Sequence, residues 1–229
     1  ASRQSAIVEF AAARTRASRI CVCPSYYSDD PLLDRVFGRR PARYLETLAA
    51  ALDARIGIFW TGEEVCSREI TPGHLDDVAQ RMGRKPILWD NYPVNDGPTM
   101  SQRLHLRGFT GRNARIGASL AAHAVNPALQ PTLSLVPMLT LVDCYREGDD
   151  YRYRAATDRA LAEVLGDGLA ALVRLDLKWL QDMGLDRLAS AERDELRARY
   201  GAIDHDGARE IVAWLDGHWG ISGEAVRTQ

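Results

Sequence analysis

Short apolar runs alternate with segments of helical period through the first 145 residues. The runs begin at Ile20, Ile56, Ile87 and Ala121, about one βα unit apart. Between them, residues 44–52 place leucines on one helical face, and residues 71–82 begin with the capping residue Thr71 followed by proline. A strand followed by a helix at near-constant spacing predicts parallel strands with right-handed crossovers. We therefore predict an α/β fold.

The pattern changes to helix alone from about residue 155. Leucine and valine keep helical spacing over residues 161–180, where Gly166 and Gly168 are candidate breaks. A charged helix is predicted over residues 190–200 and an amphipathic one over residues 208–219. We predict a first region at residues 1–154 and a helical extension at residues 155–229. The extension has tryptophans that suit either a packed core or the exposed anchors of an interaction module: Trp179, Trp214 and Trp219.

Composition excludes two classes of partner. The 229 residues include 29 Lys and Arg against 31 Asp and Glu, a formal charge of -2, so no nucleic acid is expected. No apolar run approaches the roughly 18 to 20 residues that span a bilayer, and no membrane association is expected. With no signal-peptide pattern, a cytoplasmic location is expected, and the alternative is an export signal on an amino-terminal segment missing from this chain. The chain begins without Met in helix-like sequence, which suggests a piece of a longer protein.

The four cysteines are too scattered for a disulfide framework. Cys21 and Cys23 lie in an alternating apolar run, which favours small buried side chains over metal ligands. The five histidines show no paired spacing. We predict no metal site.

Polar and aromatic clusters follow each predicted strand, at residues 24–27, 60–63, 89–96 and 126–127. Parallel strands present their carboxyl ends at one rim, where α/β enzymes place their sites. Residues 89–96 (WDNYPVND) combine an indole, two amides and two carboxylates, which suit a sugar. The alternative is that residues 95–98 form only a turn and Trp89 only core.

Four motifs in order resemble the β-N-acetylglucosaminidases of glycoside hydrolase family 84, the O-GlcNAcase type. Residues 59–62 (FWTG) are followed by residues 87–96 (ILWDNYPVND) and residues 125–127 (VNP). Residues 23–27 (CPSYY) are similar to the Cys-Pro-Thr-Glu-Tyr segment of that family. The resemblance runs to about residue 155. It implies a (β/α)8 barrel of the TIM type, of which this chain would supply about the last four βα units.

The resemblance also implies a reaction. Family members remove terminal β-linked N-acetylglucosamine with retention of configuration, and the substrate's own 2-acetamido group is the nucleophile. No metal or organic cofactor is needed. The expected partner is a glycan or glycoprotein bearing N-acetylglucosamine. Protein-linked sugar, chitin-like oligosaccharide and glycosaminoglycan ends all present the same terminal residue, so the leaving group stays open.

Five residues take binding roles by motif position. Tyr27 would contact the acetamido or oxazoline group, Trp89 would wall the acetamido pocket, and Asn91 would face that group or the adjacent sugar edge. Asp96 would accept hydrogen bonds from the outer hydroxyls of the sugar, and Asn126 would assist there.

The catalytic aspartate pair of the family is expected upstream of the CPSYY segment, outside this chain, so no catalytic residue is assigned. Asp29 and Asp30 form an adjacent pair, but the following Pro31 favours a polar loop or a helix start. Asp90 is expected to have a structural role or to support the residues that bind the sugar, rather than to act as the acid. The alternative function is a non-catalytic carbohydrate-binding remnant.

Half a barrel would expose the edges of its first and last strands. We therefore expect a second polypeptide or self-association to complete the barrel.

Overall fold

The computed structural model describes residues 1–222. These residues form two compact units. The first comprises residues 1–91 and 111–124, and the second comprises residues 92–110 and the described residues from 125 onward.

The first unit is built around a parallel sheet with strand order β1-β2-β3-β4. Cys21 pairs with Gly57 in one parallel register and Phe59 pairs with Ile87 in the next. The elements are α1 (Ser2–Ala12), β1 (Cys21–Val22), α2 (Pro31–Phe37), α3 (Tyr44–Ala50), β2 (Gly57–Trp60), α4 (Pro72–Met82), β3 (Ile87–Asp90) and, at its end, β4 (Ala122–Val125). The predicted α/β arrangement is confirmed.

Helix α4 shows why the predicted boundaries hold. The Thr71 hydroxyl accepts a hydrogen bond from the His74 N–H at 3.3 Å, and Pro72 begins the helix. Gly83 ends it in the left-handed conformation, with φ of 63°. The buried face of the helix joins a core that includes β2 and β3. Its members include Leu75, Val78, Met82, Ile58, Trp60 and Leu88.

The second unit is mostly helical. Its helices are α5 (Pro131–Glu147), α6 (Tyr153–Leu177), α7 (Ser190–Gly201) and α8 (Asp206–Leu215), with a wide helical turn over Lys178–Met183. Gly166 interrupts α6 with φ of 70° and ψ of 159°, so the break predicted there is confirmed. Gly168 lies within the helix.

A carboxylate from α8 caps the start of α5. Glu210 accepts hydrogen bonds from the backbone N–H groups of Thr132 at 2.8 Å and Leu133 at 2.9 Å. These are donors that the first turn of a helix leaves unpaired, and the positive end of the helix dipole favours a negative charge there.

The tryptophans of the predicted extension belong to the core of the second unit. Trp214 is fully buried, while Trp179 and Trp219 are partly buried and pack against the same core. The core alternative is therefore the correct one for these residues. Because α5 packs with α6 in one unit, the compact units do not coincide with the predicted division at residue 154. The last seven residues of the predicted extension, 223–229, lie outside the described residues.

The prediction of burial for Cys21 and Cys23 was wrong. Both are exposed, and Cys144 is the buried cysteine. The reason is the position of β1 as the terminal strand of the described sheet, where an alternating apolar run need not be covered on both faces. Within residues 1–222, no helix is long and apolar enough to cross a membrane.

Candidate sugar-binding site

The last residue of β3, Asp90, is held in a buried ion pair. Arg112 donates from Nε to Asp90 Oδ2 at 2.8 Å and from Nη2 to Oδ1 at 2.6 Å. His123 Nε2 lies 3.0 Å from Oδ2. Burial alone would raise the pKa of Asp90, but the hydrogen bonds from Arg112 and His123 outweigh it and hold the pKa below its ordinary value. The structural role predicted for Asp90 matches these contacts.

Arg112 also binds the segment that follows β2. It donates to the carbonyl oxygens of Arg68 at 2.6 Å and Ser67 at 2.8 Å. The preceding Gly111 has φ of 68°, and a Cβ atom there would lie 2.2 Å from Arg68 O. A glycine is therefore required where the backbone brings Arg112 against this segment.

Trp89 and Asn91 flank Asp90 and orient each other. The Trp89 indole donates from Nε1 to Asn91 Oδ1 at 3.0 Å, and Asn91 Nδ2 donates to the Val65 carbonyl at 2.7 Å. Trp89 is 38% exposed and meets Phe59 edge to face, with ring centroids 5.2 Å apart. The alternative that Trp89 is core is excluded. An exposed indole beside a fixed amide is a surface that suits a sugar.

Tyr27 lies beyond the carboxyl end of β1 in the same unit. Its carbonyl accepts a hydrogen bond from the N–H of Thr61, which directly follows β2, at 2.9 Å. The Tyr27 side chain is half-buried. The first unit thus contains three of the five predicted binding residues, each just at or beyond the carboxyl end of a strand, namely Tyr27, Trp89 and Asn91.

Asp96 and Asn126 belong to the second unit, where Asp96 is exposed and Asn126 half-buried. The residue before Asp96 is fully buried. Asn95 donates from Nδ2 to Arg103 O at 3.0 Å, and its Oδ1 accepts from the Leu129 N–H at 2.9 Å. A simple surface turn does not bury an amide in this way. Asn95 fixes the backbone that carries the exposed residue Asp96.

The adjacent aspartates near Tyr27 have structural partners. Asp30 caps α2 by accepting from the Leu32 N–H at 2.8 Å, and its other oxygen accepts from the Val65 N–H at 3.1 Å. Asp29 forms ion pairs with Arg40 and Arg81, each at 3.2 Å. The helix start predicted from Asp30 and Pro31 is confirmed.

The model of the NAGidase family, described as beta-N-acetylglucosaminidase, matches residues 3–176, which is most of the chain. The chain belongs to this family. It is the O-GlcNAcase type of glycoside hydrolase family 84 that the four motifs resemble.

Individual relatives agree with this assignment. Protein O-GlcNAcase of Rattus norvegicus and that of Mus musculus are each 31% identical over 103 residues, which is 45% of this chain and 11% of theirs. An O-GlcNAc hydrolase variant from Thermobaculum terrenum superposes with a TM-score of 0.68 at 24% identity, covering 94% of this chain and 51% of that one. The chain thus spans about a tenth of the curated relatives and half of the solved structure. Its α/β fold with a parallel sheet is shared with that solved structure.

Sequence reasoning missed Arg112 and His123, the partners of Asp90. Neither stands in a motif, and both lie more than twenty residues downstream of Asp90. The only signal was indirect, because a carboxylate at the end of an apolar strand requires a charged or polar partner when it is buried. No group of three or more metal-binding side chains occurs within the part of the chain that the structure describes.

Proposed function

We propose that this chain carries the sugar-binding residues of a retaining β-N-acetylglucosaminidase that uses substrate-assisted catalysis. It would act on terminal β-linked N-acetylglucosamine of a glycan or glycoprotein. In this proposal, residues 1–154 are the carboxyl-terminal half of a (β/α)8 barrel and residues 155–229 are its helical extension. Membership of the family supports the reaction class, and the position of each binding residue at or after a strand supports the assignment of the site.

The hydrogen bond between Trp89 and Asn91 is the observation that carries the proposal. It joins an exposed indole to an amide that is itself anchored on the Val65 carbonyl. The pair has a fixed orientation before any ligand arrives, which lowers the entropic cost of binding. We assign Trp89 to the wall of the acetamido pocket, Asn91 to the acetamido group or the adjacent sugar edge, and Tyr27 to the acetamido or oxazoline group.

By motif position, Asp96 and Asn126 are assigned to the outer hydroxyls of the sugar. An exposed carboxylate accepts two hydroxyl hydrogen bonds at once, which a neutral amide or alcohol does less well. Removing a charge-assisted hydrogen bond costs about 1.5–3 kcal/mol. We therefore expect Asp96 to contribute more to affinity than Asn126.

The chemistry requires two further carboxyl groups. The acetamido oxygen attacks C1 as the glycosidic bond breaks, one group holds the acetamido N–H, and the other protonates the departing oxygen. Water then opens the oxazoline, and the second group takes back its proton. Asp29 and Asp30 are unsuited to these tasks, since their oxygens already serve a helix cap and ion pairs. We assign the catalytic pair to residues upstream of this chain.

The second candidate is a carbohydrate-binding protein that retains the same five residues without catalysis. Asp29 and Asp30 are occupied by ion pairs and a helix cap, which favours this second candidate if no other acid pair reaches the site. Completion of the barrel by another polypeptide that carries the upstream strands would supply one. Either such a polypeptide or a second copy of this chain would cover the free edge of β1.

The deciding experiment is a calorimetric titration with an N-acetylglucosamine-derived thiazoline, a stable mimic of the cyclised intermediate. We expect binding to the parent chain and a loss of about 10- to 150-fold in Asp96→Ala. Asp194→Ala, an exposed aspartate of α7, is the matched control and should bind as the parent does. Equal affinity in Asp96→Ala would refute the role of Asp96. Absence of binding to the folded parent would refute the claim that these residues form the sugar site by themselves.

An assay with an aryl β-N-acetylglucosaminide separates the two candidate functions. The isolated chain should bind the thiazoline without hydrolysing the substrate, because the catalytic pair is assigned elsewhere. A form that includes the upstream region should hydrolyse it if the protein is an enzyme. Hydrolysis by the isolated chain would contradict our placement of the acid and base.

A further inference from the structure

The side-chain amide of Asn91 is held by the Trp89 indole and by the Val65 carbonyl. The loop that contains Val65 is also bound by an arginine distant in sequence, Arg112. Asn91 Nδ2 donates to the Val65 carbonyl, within what we call the 64–68 loop, the segment of residues 64–68 after β2. The same loop presents two more carbonyls to Arg112. We infer that Arg112 is a positioning residue, which holds the 64–68 loop in register with β3 and thereby sets the orientation of the Asn91 amide.

The contacts form a closed ring in the first unit. Asp90 precedes Asn91 directly, and Arg112 joins the Asp90 carboxylate to the carbonyls of Ser67 and Arg68. The ring closes through the bond from Asn91 to Val65 O at 2.7 Å. The chain at the end of β3 is therefore tied to the loop at two points, once by the guanidinium and once by the amide.

Hydrogen bonds within the 64–68 loop make its residues move together, so a shift of Arg112 also shifts Val65. The Ser67 hydroxyl lies 3.1 Å from the Glu64 N–H and 3.0 Å from the Glu64 carbonyl, which also accepts from the Thr61 hydroxyl at 3.0 Å. A turn closed in this way moves as one piece. A displacement at Ser67 would carry Val65, the acceptor of Asn91, with it.

Burial gives Arg112 little freedom. Its side chain is 5% exposed and that of Asp90 is 0% exposed. The planar guanidinium fork bonds the carboxylate and two carbonyls in one geometry, which an ammonium group does not reproduce. Such a residue acts on a ligand only through the groups it holds in place.

The inference rests on the proposed function where it assigns Asn91 to the sugar, but the positioning itself is measurable without any ligand. We would record the Asn91 side-chain amide resonances and their hydrogen exchange in the parent, in Arg112→Met and in Arg112→Lys. Lysine keeps a positive charge beside Asp90 but lacks the planar guanidinium group. Asn91 exchange can therefore still be measured in Arg112→Lys if Arg112→Met fails to fold. Both variants should accelerate exchange of the Asn91 amide by about tenfold or more as its bond to Val65 opens more often.

Arg84 provides the matched control, since it too binds backbone carbonyls in the first unit. It donates to Asp53 O at 2.7 Å and Ala49 O at 2.8 Å, among others. Arg84→Met should lower stability and leave the Asn91 amide as in the parent. Arg84→Met and Arg112→Lys should be compared under conditions in which the two variants are equally stable. If the Asn91 amide then exchanges at the same rate in both, Arg112 contributes only to stability and the inference is overturned. Unchanged Asn91 exchange in Arg112→Lys overturns it as well.

A double-mutant cycle on thiazoline affinity then tests whether Arg112 affects ligand binding through Asn91. Arg112→Lys and Asn91→Ala should be non-additive, because Arg112 acts on the ligand through Asn91. Arg112→Lys and Asp96→Ala should be additive. Additive effects of Arg112→Lys and Asn91→Ala, together with non-additive effects of Arg112→Lys and Asp96→Ala, would overturn the inference. A folded parent that binds no thiazoline would count against the proposed function alone, since Asn91 exchange still decides the positioning.

Discussion

Asn95 and Gln130 share a buried hydrogen bond, in which Asn95 Nδ2 donates to Gln130 Oε1 at 2.9 Å. Both residues are almost fully buried, at 0% and 1% exposure. The bond joins the loop that carries Asp96 to the start of α5. Gln130 Nε2 has no hydrogen-bond partner among the described residues, so the Asn95 contact is the one that orients this amide.

Removal of the Asn95 side chain should therefore destabilise the protein. Asn95→Ala leaves the buried Gln130 oxygen, Arg103 carbonyl and Leu129 N–H without a partner, and we expect a loss of about 1–3 kcal/mol in the free energy of unfolding. Urea denaturation would measure it. Asp194→Ala, at an exposed position of α7, should change stability by less than about 0.5 kcal/mol. Equal stability of the two variants would contradict the network.

Asp90 should make the protein sensitive to acid. Its pKa is held below the ordinary value by Arg112 and His123, so the folded state binds a proton less readily than the unfolded chain. The stabilisation is complete above the unfolded pKa of about 3.9 and is lost as the pH falls through the folded value. In Asp90→Asn, the free energy of unfolding should be lower at neutral pH and should fall less between about pH 4 and pH 2. An unaltered acid profile in Asp90→Asn would show that other groups control it.

Tyr200 should stabilise the second unit through Asp176. Its hydroxyl donates to Asp176 Oδ2 at 2.9 Å, and Arg199 binds both carboxylate oxygens at 2.8 and 2.9 Å. Tyr200→Phe keeps the ring and should cost about 1.5–3 kcal/mol. Burial and the adjacent Asp176 charge raise the pKa of Tyr200.

This shift predicts a pH dependence of opposite direction to that of Asp90. The unfolded chain loses the tyrosine proton near pH 10 while the folded protein keeps it, so the advantage over Tyr200→Phe should shrink as the pH rises above about 10. Tyr153→Phe, at a half-buried position in α6, is the control. A constant difference between parent and Tyr200→Phe from pH 8 to 11 would disprove the assignment.

Asp30 should behave as a helix cap and as nothing more. Asp30→Ala loses the bonds to the Leu32 and Val65 N–H groups and should cost about 1–2 kcal/mol of stability. Asp30→Asn, which can still accept at the cap, should cost less. Thermal unfolding of the two variants would measure the difference. Abolished hydrolysis by Asp30→Asn in a form with the upstream region would instead indicate a catalytic role.

Local patterns were sufficient to predict much of the fold. Thr71 followed by Pro72 marks the start of α4, and Asp30 followed by Pro31 marks that of α2, because capping involves residues two or three apart. Periodicity likewise located the strands. The break at Gly166 follows from its freedom to adopt positive φ.

Features that depend on distant partners could not be predicted in the same way. The exposure of Cys21 depends on which strand ends the sheet, and periodicity within β1 carries no information about that. Arg112 is one of many arginines in the sequence, and its selection by Asp90 results from the fold. At the candidate site, the motifs singled out Trp89, Asn91 and Asp96 as candidates, but gave no reason for Asn95 to be buried and Asp96 exposed.

The carboxylate of Glu210 at the start of α5 has a consequence for how far the protein can be shortened. A truncation that removes α8 would take away the acceptor for Thr132 and Leu133 and would uncover the cavity that Trp214 fills. The smallest autonomous version of the second unit therefore has to extend through Leu215. Deletion series intended to isolate the candidate sugar-binding residues should begin their C-terminal cuts beyond that point.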